Sequence, residues 1–331
     1  MEKELKLTKV ALTINNVCNL NCPHCYLQYL PPELNDNSIS DEVIEKVFAI
    51  NGLELVVIAG MEPFYNKNSV QLLERIASHF FSKGVKVNVV TNGLNLNLIT
   101  DKLIETLSVI DISLDGGSKT YQGYREGSFN KLVANIAYLK ERNFKGAINC
   151  LNVISAETVD AIDDMIEADM FFNFKKIYFS PYIKTINDGK NTVHNSSIES
   201  ILLKLKQNKL FMENDKCIMF FGVNHVVTDV SKKEELLHRN DWITSFIQQN
   251  FQEEKVLYAA ESLKQGFLRI TYDGLLLDPY HALHPSLYKK FGKSIFGIAP
   301  EEFYKDCVKV RDLEHWAVDG PSRIFPLNFV H

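Results

Sequence analysis

The feature that most constrains the fold of this chain is the regular alternation of short apolar runs with amphipathic segments between residue 7 and about residue 208. The apolar runs have the length and composition of buried strands, and a stretch of helical periodicity follows each of them. Strands that alternate with helices pair in parallel through right-handed crossovers, which predicts an α/β fold. The predicted strands are 7–14, 53–59, 85–90, 109–114, 147–154 and 176–180. The predicted helices are 40–51, 68–83, 98–107, 128–142, 156–170 and 196–207.

Single residues mark some of the predicted helix ends. Ser40, followed by acidic residues within one turn, has the pattern of an N-cap. Gly84 and Gly146 each lie just past a predicted helix, where the chain commonly needs a left-handed residue. We therefore expect a positive φ at both glycines.

The number of βα units selects the architecture. Six units predict a partial (βα)6 TIM-like barrel, whose chemistry lies on the loops at the carboxyl ends of the strands. An open doubly wound sheet is the alternative, but it is typically accompanied by a glycine-rich phosphate loop after its first strand. No such loop follows residue 14. The partial barrel is therefore favoured for residues 1–208.

The pattern changes after about residue 209. The stretches 218–227 and 267–277 are predicted to be strand pairs, and Asp273-Gly274 is a strong hairpin signal in the second. The stretches 232–252 and 300–308 have helical periodicity. We predict a smaller C-terminal α+β extension at 209–331.

Composition excludes several classes of protein. The chain is 46% hydrophobic and 23% charged, as in ordinary soluble domains, and its formal net charge of −5 disfavours a general nucleic-acid binder. No apolar run approaches the roughly 18–20 residues that cross a bilayer. The N-terminus from Met1 is charged and lacks the apolar core of a secretion signal. We expect a cytoplasmic protein with neither membrane nor nucleic acid as a partner.

Three of the six cysteines, Cys18, Cys22 and Cys25, lie within eight residues directly after the first predicted strand. In a reducing compartment, such a group is typical of a soft metal centre, either zinc or iron–sulfur. A structural zinc site needs a fourth protein ligand, and His24 is the adjacent candidate. A [4Fe–4S] cluster with three cysteines leaves one iron open to an external ligand. At this point the cysteine spacing is compatible with either kind of metal centre.

The spacing Cys-x3-Cys-x2-Cys-Tyr after a first strand resembles the signature of the radical S-adenosylmethionine (SAM) superfamily. The resemblance implies that Cys18, Cys22 and Cys25 hold one [4Fe–4S] cluster and that SAM chelates the fourth iron. One electron, from a flavodoxin or ferredoxin-type reductant, would then cleave SAM to methionine and a 5′-deoxyadenosyl radical that abstracts a substrate hydrogen. Tyr26 would pack near the adenine.

Further motifs occur in the order that the superfamily shows. Residues 59–63 are similar to its Gly-Gly-Glu-Pro element, with Ala59 in place of the first glycine, and residues 91–93 match its Thr-Asn-Gly. For Arg125 the alternative is a solvated surface arginine, and for Asn152 and Ser180 it is a purely structural role. The resemblance implies cofactor contacts for Gly60, Met61, Glu62, Pro63, Thr91, Asn92, Ser113, Asp115, Arg125, Asn152 and Ser180.

Residues 270–279 resemble the hairpin of the extension called SPASM or twitch. Relatives carry an auxiliary-cluster cysteine near its end, where this chain has Asp278 and Pro279, and no cysteine lies near 259–261. We therefore predict a twitch-like extension without an auxiliary cluster.

The remaining polar candidates are scattered. Cys150 is expected to be a small buried residue, whereas Cys217 or Cys307 is a candidate hydrogen-atom donor to a substrate radical. Asp278, His281 and His284 are candidate substrate contacts.

The sequence favours a radical SAM enzyme that modifies a ribosomally made peptide. Without an auxiliary electron acceptor, a redox-neutral change such as epimerisation is favoured. A sugar, aminoglycoside or nucleoside is the alternative substrate. A non-catalytic zinc protein that uses His24 as its fourth ligand is the rival of another class, as is a degenerate barrel that binds a peptide. The zinc hypothesis gives no reason for the motifs at 60–63, 91–93 and 113–115.

Overall fold

The computed structural model of the chain describes residues 6–25, 27, 38–182, 198–216, 218–221, 224–227, 233–253, 255–259, 267–278, 288–313 and 323–326. Strands and helices alternate through the first part of these residues, as predicted. The elements are β1 (Lys9–Leu12), α1 (Asp41–Phe48), β2 (Leu55–Ile58), α2 (Lys67–Ser82), β3 (Lys86–Thr91), α3 (Asp101–Thr106), β4 (Val109–Ser113), α4 (Tyr121–Arg125), α5 (Phe129–Glu141), β5 (Ala147–Ile154), α6 (Ile162–Phe172), β6 (Ile177–Pro181) and α7 (Ile198–Gln207).

The first six strands form one parallel sheet in chain order. Each strand from β1 to β5 pairs in parallel with the next, so that Leu12 faces Ile58 and Asp111 faces Asn149. This confirms the α/β class and is the arrangement of a partial TIM barrel. Because the strands are parallel, the loops that follow them all leave from the same edge of the sheet.

Local sequence accounts for most helix ends. Ser40 caps α1 as predicted, because its side chain accepts a hydrogen bond from the Val43 amide. Gly84 follows α2 with φ +74°, which confirms that prediction. The prediction for Gly146 is wrong, because Asn143 takes the left-handed conformation after α5, with φ +58°. A Cβ at Gly146 would lie 2.6 Å from the Ser108 carbonyl, so this glycine allows a close approach instead.

The sheet has two different faces. Val56, Val89 and Ile112 belong to a continuous core with helix residues such as Leu73 and Leu139. Strand side chains alternate between faces, so the residues between these positions lie on the other face. In β2, β3 and β4 the residues of that other face are half-buried rather than buried, apart from the exposed Lys86 at the start of β3. We call it the inner face, since it is the inside of the partial barrel.

The C-terminal part continues the same sheet. Its elements are α8 (Lys209–Glu213), β7 (Ile218–Phe221), β8 (Asn224–Val227), α9 (Lys233–Asn250), β9 (Val256–Ala259), β10 (Phe267–Ile270), β11 (Leu275–Leu277), α10 (Tyr288–Phe291), β12 (Lys293–Ser294), α11 (Pro300–Leu313) and β13 (Arg323–Pro326). Within the described residues the sheet has eleven strands in the order β12-β11-β10-β1-β2-β3-β4-β5-β6-β7-β9. The boundary at residue 208 stays a prediction, and the sheet runs across it.

One of the two predicted C-terminal strand pairs is correct. β10 and β11 form an antiparallel hairpin, with Gly274 at φ +81° in its turn. The pairing predicted within 218–227 is wrong: β7 lies parallel to β6 and β9, and β8 pairs with the distant β13. Parallel partners are reached only through a crossover, so the local sequence does not identify them. Within the described residues, none of the helices is both long and apolar enough to cross a membrane.

Candidate functional site

The three clustered cysteines lie on the loop that leaves the carboxyl end of β1. Cys22 is buried, and Cys18 and Cys25 are partly exposed. The Cys25 amide donates a hydrogen bond to the Cys22 carbonyl at 3.0 Å, which closes a tight turn between the two thiols. The Cys22 thiol donates to the carbonyl of Arg125, at 3.7 Å. This hydrogen bond attaches the cysteine loop to the end of α4, the helix that follows β4.

The surroundings of the thiols favour their protonated form. Burial raises the pKa of the Cys18 thiol and raises the pKa of the Cys22 thiol to about 12. Negative charge on Cys25 would raise both pKa values further, so the three thiols lie within electrostatic range of one another. Cysteines bind a metal centre as thiolates, so metal binding here must displace these protons.

The thiol arrangement distinguishes between the two kinds of metal centre. Among the described residues, no three His, Cys, Asp or Glu side chains converge as ligands of one metal ion. Zinc needs such convergence, whereas three cysteines of a four-iron cluster each bind a different iron. His24, the fourth ligand in the zinc hypothesis, instead bonds through Nε2 to Asp115 at 3.0 Å. The donor set fits an iron–sulfur cluster better than zinc.

Asp115 is the centre of the hydrogen-bond network beside the cysteine loop. It has a left-handed backbone with φ +52°, and its carboxylate contacts His24 and the Arg125 guanidinium. The same carboxylate accepts from the Val153 amide at 2.5 Å, while the Asp115 amide donates to Asn152 Oδ1 at 3.1 Å. Burial alone would raise the pKa of Asp115, but Arg125 and His24 hold it at about 2. An ionised carboxylate thus ties the cysteine loop to β4, β5 and α4.

Arg125 is not a surface arginine, since only 8% of it is exposed. Burial alone lowers the pKa of its guanidinium, but the charge of Asp115 outweighs burial and raises that pKa. The Nε of Arg125 is buried and has no hydrogen-bond partner within the described part of the chain. A cationic group with one unused donor next to the cysteine loop fits an anionic cofactor group, such as a carboxylate.

Glu62 joins the loops that follow β2 and β3. It is 1% exposed, and its Oε1 accepts from the Phe64 amide at 2.8 Å and the Thr91 hydroxyl at 2.7 Å. Its Oε2 accepts from the Asn92 amide at 2.8 Å. Burial raises the pKa of Glu62, and these three donors counteract it. The carboxylate is occupied by the chain itself, so its evident role is to position Thr91 and Asn92.

Asn92 contacts the cysteine loop directly. Its side-chain amide donates to Asn19 Oδ1 at 2.8 Å and to the Cys18 sulfur at 3.8 Å. From the other side, the Glu62 amide donates to the Val17 carbonyl at 3.0 Å. The motif at 59–63, the motif at 91–93 and the cysteines thus form one connected site, with Met61 half-buried and Pro63 buried beside Glu62.

Gly60 has a packing role that its motif does not reveal. Its φ is +146°, and a Cβ there would lie 2.6 Å from the Thr13 side chain. The Thr13 hydroxyl donates to the Ala59 carbonyl at 2.9 Å and so holds this contact. Glycine is required here for the loop to pack against the end of β1, in addition to any approach of a cofactor.

The inner face receives only some of the remaining predicted residues. Ser113 and Ser180 occupy its half-buried positions at the ends of β4 and β6. Asn152 lies on the other face, since its amide donates to the buried Cys150 sulfur at 3.2 Å. Its contact with Asp115 gives it a supporting role in the site.

Other predicted residues lie elsewhere or outside the described residues. Cys307 packs against the core on the helix side of the sheet, and not on the inner face. Asp278 is buried and directly follows β11. Because β11 is antiparallel to β10, Asp278 lies at the opposite end of the strands from the cysteine loop. Tyr26, Cys217, His281 and His284 lie outside the described residues. The roles predicted for all these residues stay predictions.

Sequence reasoning missed the contacts that hold the site together. It treated His24 only as a zinc ligand and did not consider Asn19. Neither contact has a local signal in the sequence, because each joins two residues that are more than 70 positions apart, His24 with Asp115 and Asn19 with Asn92. The one available sign was the Asp115-Gly116 pair, since aspartate tolerates a left-handed turn better than most residues.

Comparison with known proteins agrees with this site. Residues 12–168 match the family model described as the radical SAM superfamily. The radical SAM cyclopropyl synthase TigE of Paramaledivibacter caminithermalis is 27% identical over 201 residues, which are 52% of this chain and 41% of that protein. The antilisterial bacteriocin subtilosin biosynthesis protein AlbA of Bacillus subtilis is 25% identical over 210 residues, 61% of this chain and 44% of that protein. The chain thus spans less than half the length of these two curated relatives.

The fold is also found among solved structures. SuiB of Streptococcus suis, bound to S-adenosylmethionine, has a TM-score of 0.58 to this chain and covers 95% of it, while the chain covers 69% of SuiB. SuiB has also been solved with its precursor peptide SuiA. At 12% sequence identity this likeness shows the fold alone.

Proposed function

Because residues 12–168 match the family model of the radical SAM superfamily, we propose that this protein is a radical SAM enzyme whose Cys18, Cys22 and Cys25 hold one [4Fe–4S] cluster. When bound, the cluster supplies the electron that cleaves SAM and so starts hydrogen abstraction from the substrate. The observation that carries the proposal is the connected network at one edge of the sheet. In it, the Asn92 side chain contacts the Cys18 sulfur and the Arg125 carbonyl accepts from the Cys22 thiol.

The residues around the loop divide into two tasks. Glu62 and Asp115 are buried carboxylates whose oxygens are taken up by the chain, so they position the loops. Arg125 keeps a buried donor, which would bind an anionic group of SAM. Ser113 and Ser180 on the inner face would contact the rest of that cofactor. A low-potential flavodoxin or ferredoxin would supply the electron.

The substrate that we propose is a ribosomally made peptide. The support is the likeness to AlbA, whose name places it in bacteriocin biosynthesis, and the shared fold with SuiB, which binds a precursor peptide. We further propose a redox-neutral change such as epimerisation, since the sequence offers no cysteine at the expected auxiliary-cluster positions. A sugar, aminoglycoside or nucleoside is the competing substrate.

Anaerobic purification and iron–sulfur reconstitution test the cluster. We expect about four irons and four sulfides per chain, and release of 5′-deoxyadenosine on addition of dithionite and SAM. Replacing Cys18, Cys22 and Cys25 by alanine together should abolish iron binding. Cys150→Ala is the matched control, since Cys150 is buried outside the loop, and it should retain iron. Bound zinc without iron or deoxyadenosine would overturn the proposal, and about eight irons would contradict a single cluster.

Mass spectrometry tests the substrate and the reaction type. The reconstituted enzyme is incubated in deuterated water with bacteriocin-type precursor peptides and, separately, with nucleosides and aminoglycosides. Epimerisation predicts a peptide product that gains one deuterium and is otherwise unchanged in mass. A product two hydrogens lighter than the substrate would exclude a redox-neutral change. Turnover of the small molecules alone would exclude the peptide.

A further inference from the structure

The inner face of the sheet carries a group of polar side chains that the proposed cofactor site does not use. Asn88 on β3, Asp111 on β4 and Asn149 on β5 form this group, which we call the lumen cluster. Their strand neighbours Val87 and Ile110 belong to the core on the helix side. Because side chains alternate along a strand, the three polar residues lie on the opposite, inner face.

The strand register places the lumen cluster on three adjacent strands. Asp111 faces Asn149 directly, and Asn88 faces Val109, two residues before Asp111. The Asn149 amide donates to Asp111 Oδ1 at 2.8 Å, which confirms that these two side chains share a face. The cluster lies below Ser113, which ends β4 on the same face.

Two acceptor atoms of the cluster are buried without a partner. Asn149 is 4% exposed, and its Oδ1 has no hydrogen bond within the described part of the chain. Asn88 Oδ1 is also buried and lacks a partner there. A buried acceptor without a donor is unfavourable, and each such atom in a folded protein calls for a ligand or a water. What the cluster lacks is therefore a hydrogen-bond donor.

The charges around the cluster indicate a neutral donor rather than a cation. Asp111 lies in the field of Lys176, which partly compensates its charge. Arg269 on β10 lies on the same row of the inner face as Asn88, with Ala11 and Val57 between them. Both basic side chains repel a cation on this face, Lys176 through its field at Asp111 and Arg269 from three strands away from Asn88. A carboxamide or hydroxyl group supplies donors without that repulsion.

We infer that the lumen cluster is a subsite for a neutral hydrogen-bond donor of the substrate, a carboxamide or a hydroxyl group. This inference rests on the proposed function, because it assumes that the substrate enters the inner face beside the cofactor site. Such a subsite would favour peptide segments that contain asparagine, glutamine, serine or threonine over purely aliphatic segments.

Two probes of the same shape test the donor requirement. Isobutyramide carries an N–H donor, whereas 3-methyl-2-butanone replaces that amide nitrogen by a methyl group and only accepts hydrogen bonds. Saturation-transfer NMR on the full reconstituted chain measures the binding of each probe. We expect the amide to bind saturably and the ketone to bind at least about tenfold more weakly, which is the effect of one hydrogen bond.

Variants assign the binding to the cluster. Asn88→Leu and Asn149→Leu each keep the approximate size of the side chain and should reduce the affinity for the amide about tenfold. Among the described residues, the Asn88 side chain makes no hydrogen bond that its loss would break, so this variant should fold even if Asn149→Leu does not. Asn51→Ala, at an exposed position next to α1, is the control and should leave binding unchanged.

Each other outcome overturns the inference. Equal binding of amide and ketone shows that no donor is selected, and binding of neither shows that only water occupies the cluster. Amide binding that survives both leucine variants lies elsewhere in the molecule. Binding of the probes requires neither the [4Fe–4S] cluster nor SAM cleavage. A failure here is therefore distinct from a failure to bind iron or to release 5′-deoxyadenosine.

Discussion

At the scale of single residues, the site depends on charges that are buried and paired. Asp115 combines a left-handed backbone with a carboxylate that contacts His24 and Arg125. Such a conformation costs about 1 kcal/mol or more and persists only where surrounding contacts impose it. Arg125 would be left as an uncompensated buried cation without this carboxylate. The pair therefore holds the cysteine loop and α4 in one arrangement.

Asp115→Asn tests this role. The variant keeps the shape of the side chain but removes the charge that Arg125 needs, so we expect the free energy of unfolding to fall by about 3 kcal/mol. Iron content after reconstitution should fall several-fold, because the loop loses its attachment. Urea unfolding of the apoprotein and iron analysis measure the two effects. Asp111→Asn, at a half-buried aspartate within β4, is the control for iron content, and equal iron in both variants would contradict the positioning role.

Gly60 gives a second prediction at this scale. Gly60→Ala would place a methyl group 2.6 Å from the Thr13 side chain at a φ of +146°, which only glycine adopts readily. We expect a loss of about 2–3 kcal/mol in the free energy of unfolding. Gly123→Ala is the matched control, because a Cβ there meets nothing within 4 Å, and it should be neutral or slightly stabilising. Equal effects in the two variants would refute the packing argument.

At the scale of elements, α6 carries a buried carboxylate that contributes nothing to the proposed site. Asp169 is fully buried, and both of its oxygens lack a hydrogen-bond partner within the described residues. Burial raises its pKa to about 7, although Lys216 acts in the opposite direction. The folded protein therefore holds Asp169 as the neutral acid at acidic pH, whereas the unfolded chain ionises it above about pH 4.

This shift predicts how stability depends on pH. The contribution of neutral Asp169 is fully present below about pH 4 and is lost as the pH rises through about 7. Asp169→Asn should remove this dependence, so that the variant gains on the order of 4 kcal/mol relative to wild type between pH 4 and pH 8. Urea unfolding of both proteins across this range measures the difference. A constant difference between them would show that Asp169 does not titrate in this window.

Individual elements show how far the sequence predicts this fold. β5 has the predicted bounds 147–154, and Ser40 caps α1, because both follow from local periodicity and capping chemistry. The pairing of β8 with β13 joins segments almost 100 residues apart, and no local pattern encodes it. The same limit applies to the site. The cysteine spacing is local, whereas the contacts of His24 and Asn92 depend on how the strand ends meet.

At the scale of the whole molecule, the C-terminal part extends the sheet of the partial barrel at both of its edges. β10 pairs in parallel with β1, and the Thr13 amide donates to the Ile270 carbonyl at 2.9 Å, next to the cysteine loop. Leu268 and Ile270 share a core with strands from the first half of the chain. The strand that carries the cysteine loop therefore has partners on both sides only when residues beyond 208 are present.

This arrangement gives a prediction about the boundary at residue 208. A fragment of residues 1–208 loses β10 and β7, so that β1 and β6 become open edges with exposed apolar side chains such as Leu12. We expect this fragment to aggregate or to elute as large oligomers, and to bind little iron even when its cysteines are intact. Size-exclusion chromatography and thermal unfolding, with the full chain as the reference, measure both properties. A monomeric fragment with cooperative unfolding would instead establish residues 1–208 as an autonomous domain, with the C-terminal strands added to a barrel that is already stable.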